Sequence, residues 1–442
     1  MTHEQGHTSG ADRPILMVGF VAAALPAFTD LLPARSVVFV EEPDIVRKRA
    51  VRDKVVTAPM VRDLIEYEYH RPGTADEFAN AHPDLAPAAV VPLLEYATPF
   101  AARLPERYGL PGASLGAAQT MRDKALLRQV TRAAGIANPA SVPVRGPAEV
   151  RAFMARCPGR IVLKPANRQA SVGCLVLDDP SDVDSAWREC TVQDEGVFVP
   201  DRPMELRMLA ERHVAGAQYS VEMLVRDGTD LFHNVTATRL IPGPVPAELS
   251  HQVPADIPAD LARRLGEQTL RVVRAVGFRD GIVHCEWIVS AGVPYLLECA
   301  GRFAGDGIIE LIQRAYPVEL NRLYFAVMRG EPLPSAPPRR ARNAAAVRFL
   351  SIPPGVVRDV HGVPEAQRAD GVFLCDVSVA PGDTSGGLRS SWDRVGDVMV
   401  TAGDPAEALR RAEAAADLIR ITVAPQPAVL AGTAAPMPAA AS

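Results

Sequence analysis

The sequence predicts an α/β protein divided into about three domains, and three observations carry that expectation. A chain of 442 residues is longer than one hydrophobic core supports. Short apolar runs alternate with amphipathic stretches from Ile15 onward, the pattern of strands and helices around a parallel sheet. Hydrophobic residues at 48% and charged residues at 22% are the proportions of an ordinary globular protein.

The bulk properties also exclude. A net charge of −5 gives no basis for nucleic acid or an anionic membrane as partner. Six scattered cysteines without a CxxC pair fit neither a disulfide framework nor a zinc site, and point to a reduced, cytoplasmic setting. The apolar stretch Ile15–Phe28 is interrupted by Gly19 and Pro26 and is too short to span a bilayer. The leader before it contains acids and histidines, unlike a secretory signal.

In chain order, residues 1–14 are expected to be disordered and 15–118 to form an α/β domain. Ile15–Phe20 is a buried strand, 21–32 a helix or loop-helix, and Ser36–Glu42 a second strand. Val55–Ala58 and Ala89–Leu93 read as further strands, with Thr74–His82 and helical Pro99–Tyr108 completing the unit. No GxGxxG follows the first strand, which argues against a dinucleotide site. A second domain, 119–335, opens on a charged helix, Gln119–Ala134. Two strands, Arg160–Pro165 and Cys174–Asp178, then flank a polar loop, and Leu206–Val214 pairs with Gln218–Val225 around Ala215–Gly216. Asp260–Val276 is an amphipathic helix followed by a hairpin, His284–Ser290 with Pro294–Cys299. After a Pro/Arg-rich linker, residues 340–423 alternate short strands with a last helix, Pro405–Ile419. The Ala/Pro-rich residues 424–442 are expected to be disordered.

The hairpin carries the sharpest chemical signal. With a three-residue loop at Ala291–Val293, Glu286 falls directly opposite Glu298, about 5 Å away on one face. Carboxylates that close require a shared proton or a cation between them. A two-residue Ala-Gly turn would instead slip the register and turn Glu298 to the other face. Arg302 follows in a loop bracketed by Gly301 and Gly305 that leads into a helix at Ile308–Ala315. Acids, arginine and a helix N-terminus together suit a metal–phosphate site. Lys164 ends an apolar strand, and the loop Ala166–Gly173 after it can close over phosphates with backbone N–H groups, although no P-loop GK[ST] is present. Taken singly, each piece also has a plain reading: solvated edge acids, a snorkelling lysine, an ordinary hairpin loop.

In order, RDKALLRQVTRAAGIANP, VLKPANRQASVG, AERHVAGAQYSVE, HCEWIV and LLECAGRFAGD resemble the ATP-grasp carboxylate–amine ligases over about residues 15–335. The resemblance implies an ATP-grasp fold with an N-terminal pre-grasp α/β domain and a lid at about 140–215. Carried over by position, Lys124 and Lys164 resemble the lysines that neutralise ATP phosphates, and Ser171 and Gly173 the phosphate-covering loop. Glu211, with His213 and Val214, resembles the adenine-binding hinge, and Gln218 stands where an acid often binds the ribose. Glu286 and Glu298 resemble the Mg²⁺ ligands, with two ions expected and Mn²⁺ an alternative. Ala300 stands where many members have a further metal-ligating Asn. Arg302 resembles the arginine that stabilises the acyl phosphate and the oxyanion.

The E-x-A-x-R-x-x-G-D form and the segments AAAVRFLSIPPGVVRDVHGV and GVFLCDVSVAPGD resemble the L-amino-acid ligase branch, with its extra C-terminal α+β domain. That likeness implies dipeptide synthesis from amino acids, in specialised metabolism such as antibiotic biosynthesis. It leaves as alternatives a non-amino-acid carboxylate or amine, and an inactive nucleotide-binding homologue. Under the same likeness Glu95 resembles an acid that meets the substrate amine, and His251 lies in a loop over the substrate pocket. A homodimer is the expected assembly.

Overall fold

The computed structural model describes residues 13–192, 195–196, 199–338 and 340–425. Most of the expected disordered leader and tail lies outside the described residues, while Ala424 belongs to a strand.

The first unit is a parallel sheet in the order β3-β2-β1-β4, with β1 Ile15–Val18, β2 Val37–Glu41, β3 Val61–Glu66 and β4 Ala89–Pro92. Its central strands are buried on both faces, as their unbroken apolar runs require. One expectation is corrected here. Val55–Ala58 is not a strand: Val51–Val55 is a helix whose Val51 and Val55 share the buried face, and the edge strand lies further on at Val61–Glu66.

The expected helix Gln119–Ala134 is two helices, Leu115–Arg122 and Lys124–Ala133. Asp123 separates them in an extended conformation, its carboxylate accepting from Ala125 N and Leu126 N as the N-cap of the second. Lys124 is thereby the first residue of the second helix, and it is buried.

The second sheet has the order β5-β8-β6-β7: β5 Ser141–Val144, β6 Ile161–Pro165, β7 Leu175–Leu177 and β8 Met208–Arg212. A further correction follows. The expected pairing of Leu206–Val214 with Gln218–Val225 does not occur, because β8 pairs with β5 and β6. Residues 213–216 instead carry the chain out of this sheet into a larger one.

The larger sheet has eight strands in the order β13-β12-β9-β10-β11-β14-β18-β16. Its strands are β9 Ala217–Arg226, β10 Thr229–Leu240, β11 Glu248–Val253, β12 Gly281–Ser290, β13 Val293–Ala300, β14 Ala344–Leu350, β16 Val372–Val377 and β18 Gly396–Ala402. The C-terminal segment therefore extends this sheet through the β11–β14 pairing. The remaining strands, β15 Gly355–His361, β17 Thr384–Ser385 and β19 Arg420–Ala424, form a small separate sheet. The last helix is Pro405–Ala416, and β19 follows it, so the described chain ends in a strand.

The β12–β13 hairpin turns on two residues, Ala291 and Gly292, both at positive φ (47° and 78°), the geometry that matches strand twist in a tight hairpin. The ladder runs Ser290↔Val293 to Trp287↔Leu296, then shifts so that Glu286 pairs with Glu298. Leu297 is the extra residue of a β-bulge. The expected facing of Glu286 and Glu298 is present, while the expected three-residue loop is not; the bulge makes up the difference.

Candidate functional site

A cleft of about 1190 Å³ lies between the β5-β8-β6-β7 sheet, the large sheet and the C-terminal segment. Lys124, Lys164, Ser171, Glu211, His213, Val214, Gln218, His251, Glu286, Glu298 and Arg302 all line it. Residues separated by up to 178 positions in the chain are thus gathered onto one surface by the corrected sheet switch at 213–216.

At one end the two lysines are held by acids. Lys124 Nζ lies 3.1 Å from Glu298 Oε2 and donates to Arg168 O at 2.8 Å. Lys164 Nζ lies 2.5 Å from Glu211 Oε2. Glu211 also takes a bidentate pair from Arg128, 2.7 Å from Nε and 3.3 Å from Nη2. Burial would raise the Glu211 carboxyl, but Arg128 and Lys164 hold it at about 2. The side chain of Glu211 is therefore the shared counter-ion of Lys164 and Arg128. The backbone just past β8 continues its ladder with β6, His213 N donating to Arg160 O at 3.0 Å.

Glu286 has a neighbour that sequence reasoning passed over. His284, two residues earlier on the same face, lies 3.2 Å from Glu286 Oε1 through Nε2 and 2.9 Å from Glu222 Oε1 through Nδ1. Burial lowers the imidazole, but the hydrogen bonds with Glu222 and Glu286 outweigh it and carry the group to about 10, so it is charged at neutral pH. Glu222 is in turn held by Ser220, Asn234 and Thr236. The signal for His284 was its period-2 spacing from Glu286.

Arg302 and Glu95, expected as separate groups, are a pair: Arg302 Nε lies 3.0 Å from Glu95 Oε2. Glu95 is 1% exposed, lies behind the cleft wall, and also faces Arg122 Nη1 at 3.5 Å. Burial raises its carboxyl, and Arg302 and Arg122 more than reverse this. His251 is corrected from loop to strand: it sits in β11, 4% exposed, between Thr238 Oγ1 and Asp306 Oδ2, each 3.1 Å away. Asp306, a non-glycine residue at φ 59°, also pairs with both terminal nitrogens of Arg394 at 2.9 and 2.5 Å. Arg394 stacks over Phe349, 3.8 Å from the ring centroid. Nothing in the sequence connected Arg394 to the site, because only the β11–β14–β18 pairing brings it there.

In the loop between β6 and β7, Ser171 donates to Pro246 O at 3.1 Å and adopts positive φ, as does Ala170. Gly173 does not line the cleft; it packs against Cys190 behind it.

The donor set fits magnesium in one respect. Among the described residues no three His, Cys, Asp or Glu side chains form a metal cage. Glu286 and Glu298 supply two facing carboxylates, which is what Mg²⁺ takes from protein when phosphate oxygens and water complete its shell.

Residues 157–310 match the ATP-grasp domain, and residues 348–424 match the L-amino acid ligase C-terminal domain 2. The chain therefore contains an ATP-grasp domain and the second C-terminal domain of the L-amino acid ligases. Alanine–anticapsin ligase of Bacillus subtilis is 23% identical over 237 residues, 50% of each chain. A D-alanine–D-alanine ligase of Acidiphilium cryptum is 27% identical over 179 residues, covering 39% of this chain and 54% of that one. The chain spans about half the length of the curated relatives it matches. The crystal structure of an L-amino acid ligase from Bacillus licheniformis shares the fold with a TM-score of 0.74 at 16% identity, over 93% of this chain and 99% of that one.

Proposed function

We propose that the protein is an ATP-dependent ligase that joins the carboxylate of one amino acid to the amine of another, forming ADP and phosphate. The observation that carries this reading is the convergence of Lys124, Lys164, Glu286, Glu298 and Arg302 on one cleft. The C-terminal domain match and the alanine–anticapsin ligase relatives support amino acids as substrates and a place in specialised metabolism.

A carboxylate oxygen attacking the γ-phosphorus of ATP brings like charges together. Lys124 and Lys164 offset that repulsion. Glu286 and Glu298 would hold Mg²⁺, which when bound supplies charge neutralisation at the phosphates. We assign two ions to this site, with Mn²⁺ able to substitute. The bond from γ-phosphorus to the bridging oxygen breaks, ADP leaves, and an acyl phosphate remains.

Arg302, braced by Glu95 and donating through Nη1 to Phe303 O, presents its remaining donors towards the oxygen that becomes negative when the amine adds to the carbonyl. The tetrahedral adduct collapses by expelling phosphate. His251 is the group we assign to take the proton that the incoming ammonium must lose. Ser171 and its loop would cover the phosphates and exclude water, which hydrolyses acyl phosphates. Beyond His251 the wall turns acidic, with Glu248, Asp306, Asp376 and Asp397 set against Arg394. Burial and the nearby Asp376 push the Asp397 carboxyl up to about 6. Such a wall favours a cationic partner, as an amine is before it reacts.

Among the described residues no helix is long and apolar enough to cross a membrane, and the six cysteines are free; both are compatible with the cytoplasmic setting we propose. The test is incubation with ATP, Mg²⁺ and all pairs of amino acids, with phosphate release and product mass recorded. Phosphate release that requires a particular pair and yields the dipeptide mass supports the reading. Release independent of amino acids is uncoupled ATP hydrolysis and contradicts the reading, and no ATP turnover with any pair points to a different carboxylate or an inactive homologue.

A further inference from the structure

Lys124 and Arg128, one turn apart on helix 124–133, grip two consecutive residues of β13. Lys124 Nζ is 3.1 Å from the carboxylate of Glu298, and Arg128 Nη2 donates to the carbonyl of Leu297 at 2.6 Å. Leu297 is the residue squeezed out of the ladder between the Trp287↔Leu296 and Glu286↔Glu298 pairs. A bulge strips its extra residue of ladder partners, and the half-buried Leu297 carbonyl on this edge strand is left to find a donor elsewhere. Arg128 supplies the missing donor. The same guanidinium holds Glu211, the partner of Lys164. Arg128 is 1% exposed and does not line the cleft, so it reaches ligands only through these neighbours.

We infer that Arg128 is a positioning residue: it locks the Leu297 bulge and thereby keeps Glu298 opposite Glu286 as a two-carboxylate ligand for a divalent cation. The inference rests on the reading of that acid pair as a cation site. The Ala291-Gly292 turn by itself favours a bulge-free ladder, in which Leu297 would face Glu286 and Glu298 would turn to the opposite side of the sheet. A lysine at 128 keeps the charge but lacks the planar fork that meets a carboxylate and a carbonyl together.

The experiment is Mn²⁺ binding by electron paramagnetic resonance, with ADP present, on the full chain. Arg128→Lys is expected to weaken Mn²⁺ binding about 10–100-fold, the usual effect of losing a group that orients a metal ligand. Removing Leu297 from the Arg128→Lys protein restores Glu286↔Glu298 pairing without a bulge, and is expected to recover most of the lost affinity. A general packing defect would not be rescued by a deletion. Unchanged Mn²⁺ affinity in Arg128→Lys overturns the inference, as does equal weakness with and without Leu297. Glu298→Gln separates the two levels: if it binds Mn²⁺ like the parent protein, the cation-site reading beneath the inference fails.

Discussion

Glu286 stands directly opposite Glu298 across a hairpin whose two-residue turn, taken alone, would have faced Glu286 with Leu297. The bulge at Leu297 is therefore the local feature that makes a carboxylate pair out of two scattered acids. Bulges concentrate where a strand must re-aim a side chain.

The Arg302–Glu95 pair predicts a separation of stability from turnover. Arg302→Ala leaves Glu95 buried with only the longer contact to Arg122. It should destabilise the fold by about 2–4 kcal/mol and reduce ligation by about 10²–10³. Arg302→Lys should recover much of the stability in urea unfolding but little of the turnover. Equal recovery of both would make Arg302 a structural ion-pair partner.

Asp306 predicts a selective effect on the amine. Asp306→Asn weakens its bidentate pairing with Arg394 and its contact with His251. The KM for the amine-donating substrate should rise at least tenfold, about 1.4 kcal/mol, with the KM for ATP little changed. Steady-state kinetics with each substrate varied in turn decides this, and a rise confined to ATP would contradict it.

Gly173 tests the lid. It sits at φ 67°, and a Cβ there would lie 2.6 Å from Cys190 O. Gly173→Ala should cost about 1–3 kcal/mol through backbone strain, seen as a lower thermal midpoint, without raising the KM for ATP. A raised KM with an unchanged midpoint would instead put the Gly173 backbone against the phosphates.

Glu41 predicts a pH dependence of stability. Burial drives its carboxyl up to about 7 despite hydrogen bonds from Glu42 N and Tyr69, and Oε2 has no partner. The native state thus holds a proton that the unfolded chain has lost above its ordinary pKa of about 4.3. Stability associated with that proton is full below about pH 4 and is lost as pH rises through 7. Glu41→Gln should therefore stabilise the protein at pH 8, by up to about 3 kcal/mol, and have little effect near pH 4.5. Chemical denaturation at the two pH values distinguishes this from a uniform effect.

Much of the architecture was legible because its signals are local. Buried strands such as Val37–Glu41 are continuous apolar runs, and helix 259–276 has a clear apolar stripe. Lys164, Glu286 and Arg302 stood out as charges ending or interrupting apolar strands or lying between glycines. The corrected points depend on partners distant in sequence. Asp123 divides a helix because its side chain caps the next one. β8 lies between β5 and β6, a pairing that no local pattern encodes. His251 was placed in a loop because β11 is short and polar, and its pairing with β14 lies across a linker. Arg128 was not legible as a site residue, since a carbonyl freed by a bulge leaves no trace in composition.

The central claim is that a carboxylate is activated by phosphoryl transfer in this cleft. It is tested most directly by supplying the carboxylate substrate labelled with ¹⁸O in both oxygens, with ATP, Mg²⁺ and the amine, and measuring the isotope content of the phosphate by mass spectrometry. The account predicts one ¹⁸O transferred to inorganic phosphate for each amide bond formed, with ADP as the nucleotide product. Unlabelled phosphate, or AMP and pyrophosphate with the label in AMP, would contradict it.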